Sequence, residues 1–295
     1  MNKREQLNAV YENVTNSIIK SLESGCLPWV KSWEYNQALR LPQNAVTGKT
    51  YQGTNIILLW LAGGYSSNNW LTFKQAKDLG GCVIKGEKGA KIIFCKPVTR
   101  MQEMENLTTG KPEDVEYSYM ATKTYTVFNV QQVEGLPEEY YQMPEVPDIN
   151  KGEKNALLEA FIQNTGAEVS HGGGRAFFSP SDDFVQMPEF KQFQDANSYY
   201  ATIFHELTHW TGHAARLNRD LTGDKGSKKY AFEELVAELG AAFLCAELGV
   251  QGEMRHAGYI ENWLKALKGD AKYIVQAASK AAQAVGFLKS VLKYG

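Results

Sequence analysis

The segment HELTH, residues 205–209, concentrates the chain's chemistry. On a helix, His205 and His209 stand at i and i+4, so both imidazoles leave one face and can share a tetrahedral cation. Glu206 follows the first imidazole directly, where its carboxylate can reach a water activated by that cation. Three of the five histidines, His205, His209 and His213, fall within nine residues. A hydrolytic metal site needs a third protein ligand and an open position for water. The run YAFEELVAELGAAFLCAELG supplies carboxylates: Glu234 and Glu238 lie one helical turn apart, on a stripe continued by Ala237, Ala241 and Cys245. Carboxylates on an otherwise apolar face are costly unless paired or metal-bound. Glu234 is therefore assigned as third ligand, and Glu238 as the group that orients His205 through its other ring nitrogen. Glu233 competes with Glu234, and His213 competes as third ligand if the helix runs beyond Gly212. Tyr230, His213, His171 and His256 are candidates to stabilise an oxyanion or hold substrate.

The cation expected for this donor set is zinc, with manganese or another transition metal as alternatives. The reaction it points to is peptide hydrolysis. Glu206 would take a proton from the attacking water and later deliver it to the leaving amine. Nucleases more often use carboxylate-bound magnesium, which argues against DNA as the substrate of this centre.

The elements that must position these residues follow from periodicity. Residues 198–211, 229–248 and 256–290 read as helices, as do 153–165. Glu168 to Pro188 carries strand-like runs around Gly172–Gly174, and the run just before the metal helix is predicted to be an edge strand able to pair with an extended peptide. Toward the N-terminus, residues 5–24 read as a helix, a short apolar helix spans Asn55 to Leu61, and Thr72 can cap the helix FKQAKDLG. VIKGEKGAKIIFCKPV reads as a hairpin turning at Gly86 and Gly89, the acidic stretch 103–119 as a loop, and KTYTVFNVQQV as a further strand. The Pro- and acid-rich segment between Gly135 and Glu153 reads as a linker. The fold class is α+β, divided as residues 1–135, a linker at 136–152, and residues 153–295 with a helical C-terminal end.

Composition excludes a disordered or membrane-spanning chain: apolar residues make up 43% and charged residues 22%, and no apolar run is long enough to cross a bilayer. With a polar N-terminus, this predicts a cytoplasmic protein with no membrane partner. None of Cys26, Cys82, Cys95 and Cys245 forms a CxxC pair, so a thiolate metal site is not expected. Net charge is −2, but it is unevenly spread. Ten Lys/Arg face three Asp/Glu from Lys31 to Arg100, whereas ten acids face two bases from Glu103 to Asp148. Aromatics interleave with the cations of the basic stretch, the composition of a single-strand binder. Trp29, Trp33, Tyr51 and Trp70, in loops or beside polar residues, are the stacking candidates. Lys31, Lys74, Lys77, Lys85, Lys88 and Lys91 are the phosphate candidates. Trp60 and Phe94, flanked by apolar residues, are expected in the core.

HELTHWTGH followed by EELVAE resembles the zincin metallopeptidases of the branch with a glutamate third ligand, in which Glu234, Ala237 and Glu238 match the ligand-bearing element. LPWVKSW, YQGTNIILLW, WLTFKQAKDLGGCVIKGEKGAKIIF and YTVFNVQQVEG together resemble the N-terminal domain of ArdC-type antirestriction proteins. The two in this order match that family over nearly the whole chain. The resemblance implies an N-terminal domain that binds single-stranded DNA, a zincin-like C-terminal domain, and protection of incoming plasmid DNA from host restriction during conjugation. It leaves the protein substrate open, with a host restriction component as a candidate, and duplex DNA as a further partner. The alternative is a non-catalytic shielding protein whose metal domain is structural or docks a protein.

Overall fold

The computed structural model describes residues 3–25, 27, 29, 40–105, 112–142, 154–251 and 260–290. Helix α1 (Lys3–Glu23) is followed by β1 (Gln43–Asn44), α2 (Thr54–Ala62), β2 (Asn69–Thr72), α3 (Phe73–Asp78), β3 (Cys82–Val83), β4 (Ala90–Glu105), β5 (Pro112–Asn129) and β6 (Val133–Glu134). Then come α4 (Ala156–Asn164), β7 (Glu168–His171), β8 (Phe177–Ser179), β9 (Phe184–Met187) and the helices α5 (Ala196–Trp210), α6 (Lys228–Leu248), α7 (Ile260–Gly269) and α8 (Tyr273–Ser290). The α+β class holds.

The first half is built on a sheet of order β1-β2-β5-β4, with β2, β5 and β4 antiparallel in sequence of neighbours. Its two faces are covered differently. Leu71, Val130 and Val133 pack with Ala76 of α3 on one side; Trp70, Ile92 and Val127 pack with Leu59 of α2 on the other. Thr72 caps α3 in a reciprocal pair with Gln75, as its sequence predicts.

Two readings of this region are corrected. Residues 83–98 are not one hairpin, because β3 pairs with β6 in a separate small sheet while β4 pairs with β5. The turn at Gly86, where φ is 96°, thus links two sheets. Of the acidic stretch read as a loop, residues 103–105 and 112–119 are strand: β4 and β5 run antiparallel for sixteen residue pairs, from Ala90↔Val127 out to Glu105↔Pro112. Charged strands lack the apolar alternation by which strands are read, and main-chain pairing carries them outward.

In the second half, β7-β9-β8 form a three-stranded sheet. The run just before the metal helix, β9, is its central strand, so the edge-strand expectation for that run fails; β7 and β8 are the edges, and β8 packs beside α5. The main core is centred on α6, buried on all its faces from Leu235 to Ala246. A helix apolar all round must lie inside a core. Around it pack α5, α7 and α8, and with them Val14, Ile18 and Leu22 of α1, Trp29, and Ile56 and Ile57 of α2. The core therefore crosses the expected linker at 136–152.

Candidate metal centre

Asp195 caps α5 by accepting from the Ser198 amide at 2.7 Å, which fixes the helix start and so the rotation of His205 and His209. Ser227 caps α6 through the Tyr230 amide at 3.1 Å, and Gly249, left-handed at φ 73°, ends it. The two helices touch at Gly240, where a Cβ would lie 2.5 Å from Thr208 Cγ2. Glycine here lets the backbones approach closely enough for their side chains to share a site.

That approach brings three ligand atoms together. His205 Nε2 and His209 Nε2 are 3.1 Å apart. Each is 3.6 Å from an oxygen of Glu234. Donors bonded tetrahedrally at about 2.1 Å lie roughly 3.4 Å from one another, so the trio fits a small divalent transition cation. Among the described residues it is the one His/Cys/Asp/Glu group with such spacing.

Behind the ligands stand two further carboxylates. Glu238, fully buried, lies 3.6 Å from His205 Nδ1, as its place in the sequence predicts. Glu233 lies 3.1 Å from His209 Nδ1, so it is the counterpart of Glu238 on the other histidine and not a rival of Glu234. Each imidazole thus has Nε2 turned to the ligand trio and Nδ1 facing a carboxylate, within hydrogen-bond distance for His209. Arg219, missed in the sequence, completes the arrangement. Its guanidinium grips Glu233 at 2.7 and 2.9 Å and also donates to Thr208 O at 2.6 Å and Thr211 Oγ1 at 2.8 Å. No periodicity marks it, since it sits in an irregular segment; Gly212, against whose missing Cβ it packs, was the available hint.

The electrostatics follow. Burial alone would push both imidazoles toward neutrality, but Glu234 and Glu238 lift His205 to about 10, and Glu233 and Glu234 lift His209 to about 9. Burial would raise Glu234 likewise, and the two histidines overcome it, holding the carboxyl well below its ordinary range. Glu206 is 8% exposed, makes no hydrogen bond among the described residues, and adds its charge to those that raise His205.

The other sequence candidates lie elsewhere. Helix α5 ends at Trp210, which takes His213 out of the i+4 series; its Nδ1 is 3.8 Å from Asp183. Asp183 is also paired with Arg216, which stacks on Trp210 and ties the exit of α5 to the β8–β9 turn. His171 Nε2 is engaged with the Tyr199 hydroxyl at 2.9 Å, beside the glycine cluster. Tyr230 sits one turn before Glu234 on α6, and His256 lies outside the described residues.

Of the stacking candidates, Trp29 is 1% exposed, packed edge-on against Trp263, and Trp70 is 3% exposed, packed edge-on against Tyr65. Their faces are taken up by the core, which corrects their assignment as stacking platforms: loop position did not imply exposure. Tyr51 is half-buried against the Trp70 cluster. Phe94, expected in the core, is 53% exposed. Lys74, Lys77, Lys85, Lys88 and Lys91 are exposed, while Lys31 and Trp33 lie outside the described residues. No helix among the described residues is long and apolar enough to cross a membrane.

Comparison with known proteins agrees with this layout. Residues 8–128 match the family model of the N-terminal domain of anti-restriction factor ArdC, and residues 156–280 that of a zincin-like metallopeptidase. An uncharacterised protein of Sinorhizobium fredii is 40% identical over 93% of this chain and 89% of its own length. Two DNA primases TraC of Escherichia coli are each 38% identical, but the chain spans 19% and 27% of their lengths. The fold is similar to crystal structures of the antirestriction ArdC protein from plasmid R388, metal-free (TM-score 0.79) and Mn(II)-bound (TM-score 0.75). At 38% identity over 96% of this chain and 98% of that one, the chain belongs to the ArdC antirestriction family.

Proposed function

We propose that the chain protects incoming plasmid DNA from restriction by binding it as a single strand through its first half, and that its second half is a working metallopeptidase. The observation that carries the enzymatic part is the largely buried trio of His205, His209 and Glu234, whose ligand atoms lie within 4.8 Å of one another, with a Glu234 oxygen 3.6 Å from each imidazole. A divalent cation held there, zinc first and manganese next, would polarise a peptide carbonyl and acidify a water. Glu206 takes the proton of the attacking water and returns it to the leaving nitrogen. Glu233 and Glu238 keep the imidazoles aimed, and Tyr230, one turn before Glu234 on α6, is the candidate to donate to the oxyanion. The edge strand β8, packed beside α5, offers main-chain groups to an extended peptide. On the DNA side, the exposed lysines of α3, the Gly86 turn and β4 supply the positive field.

Metal content of the wild-type chain and of His205→Ala, with peptide cleavage by Glu206→Gln, tests this. The wild type should hold about one equivalent of transition metal and His205→Ala none. Glu206→Gln should keep the metal and lose activity by roughly 10²–10⁴-fold. A chain that takes up no metal would sink the enzymatic reading, as would undiminished cleavage by Glu206→Gln. One observation favours a second reading: the metal half shares its core with α1 and α2, so it can serve as a scaffold for the DNA-binding half. Full protection of DNA in cells by Glu206→Gln would favour that scaffold.

A further inference from the structure

The β4–β5 ribbon extends beyond the helices that cover its base, and its two faces differ in chemistry. Register places Ile92, Phe94, Lys96 and Arg100 of β4 opposite Tyr125, Lys123, Ala121 and Tyr117 of β5, so these eight share one face. Near the body this face is buried: Ile92 packs with Leu59 and Trp70. Just beyond, where α2 no longer covers it, Phe94 (53% exposed), Tyr125 (43%) and Tyr117 (40%) come to the surface. The Phe94 and Tyr125 rings meet edge to face at 6.3 Å, a diagonal cross-strand pair that holds both upright. Lys96 and Lys123 lie exposed on the same face. The acids Asp114 and Glu116 occupy the opposite face, with the hydroxyl ladder of Thr99 and Ser118.

Exposed rings are a liability on a soluble surface unless something covers them. Here they are interleaved with cations and face away from Asp114 and Glu116, while Glu113 shares the face only at its far end, the pairing that suits an unpaired strand of bases on a phosphate backbone. Resting on the reading of the chain as a single-strand binder, we propose that this face of the ribbon is its stacking platform. Bases lie on Phe94, Tyr125 and Tyr117, and phosphates run past Lys96, Lys123 and Arg100. Tyr125 and Tyr117 are eight residues apart on β5, a span of about 27 Å, enough for a run of several nucleotides. Neither Trp29 nor Trp70 takes part.

The test is fluorescence anisotropy of the full chain with a labelled oligothymidylate of roughly 20 nucleotides, read over a range of salt. Phe94→Ala/Tyr125→Ala should lose at least about tenfold in affinity, whereas Tyr125→Phe, which keeps the ring, should bind as wild type. Lys96→Gln/Lys123→Gln should flatten the salt dependence by about 1.4 in log–log slope, two phosphates' worth. Because both rings are exposed, thermal melting of the alanine pair should match wild type. As a check that needs no variant, the wild type should bind an abasic strand of equal length at least about tenfold more weakly than oligothymidylate. A wild type that binds while the alanine pair binds equally well would overturn the platform and leave DNA binding standing. A wild type that binds no oligothymidylate would overturn both.

Discussion

Gly240→Ala is the perturbation that most directly probes how the fold builds the metal site. By helix propensity alone it should stabilise the protein by roughly 0.8–1 kcal/mol. Packing argues the other way. The new Cβ would sit 2.5 Å from Thr208 Cγ2 and 2.7 Å from Thr208 Oγ1. Thr208 cannot turn aside: it is fully buried and its hydroxyl donates to Phe204 O at 2.8 Å. Overpacking of this kind costs about 1–3 kcal/mol, so net stability should fall by no more than roughly 2 kcal/mol. The effect on the site should be larger than the effect on the fold. Restoring ordinary contact requires α5 and α6 to part by about 1 Å, against a tolerance of about 0.2 Å for ligand placement. Metal affinity should fall by tenfold or more, an amount of the order seen when a supporting group is lost. Calorimetric titration with Mn(II) or Zn(II), alongside thermal melting of the metal-free protein, separates the two effects. Adding Thr208→Ala, which removes both clashing atoms, should restore affinity. The reasoning is refuted if Gly240→Ala binds metal like wild type, or if the double variant binds no better than the single one.

Two more predictions concern the groups behind the ligands. Arg219→Lys should weaken metal binding roughly 10–100-fold although charge is conserved. An ammonium cannot span Glu233, Thr208 O and Thr211 Oγ1 as the planar fork does, and affinity equal to wild type in a metal titration would dismiss this role. The second concerns pH. His205 and His209 are raised to about 10 and about 9, so at neutral pH the metal-free imidazoles hold protons that a cation must displace. Apparent metal affinity should therefore keep rising with pH up to about 10, less steeply above about 9, with proton release measurable from the buffer dependence of the binding heat. Imidazoles near the ordinary value of about 6.5 would instead give affinity that levels off above roughly pH 7, and that plateau is the contrary result.

The metal helix was legible because its information is local. His205 and His209 report their shared face through the helical repeat, and Glu234 and Glu238 do the same on a second helix. Which small residue lets the helices meet was not legible: Ala237 and Ala241 carry the same signal as Gly240, and only the crossing point distinguishes them. Glu233 and Arg219 were out of reach for a similar reason, since their partners come from different elements. The strand errors have one cause. Pairing is read from apolar alternation, and the acid-rich residues 103–105 and 112–116 offer none, so they look like loop to any test based on a buried face. Trp29 and Trp70 failed for the converse reason: a loop position for Trp29 and a polar neighbour, Asn69, for Trp70 conceal burial contributed by distant elements, Trp263 for one and Leu59 with Val127 for the other.

The shared core changes how the two halves should be thought of together. A Pro- and acid-rich segment ordinarily separates units that fold apart. Here Val14, Ile18, Leu22, Ile56 and Ile57 are buried with α6, α7 and α8, so the first half's helices lose their covering if the second half is absent. The sheet of the first half has small clusters of its own, five buried residues on one face and four on the other, too few to hold α1 and α2 in place. Helix α8 touches both α2 and α6, and α6 carries Glu234. Stability of the β4–β5 ribbon's base and of α5 and α6 is thereby linked through one packed body. That linkage gives a physical reason why the ArdC-type arrangement keeps both halves in one chain.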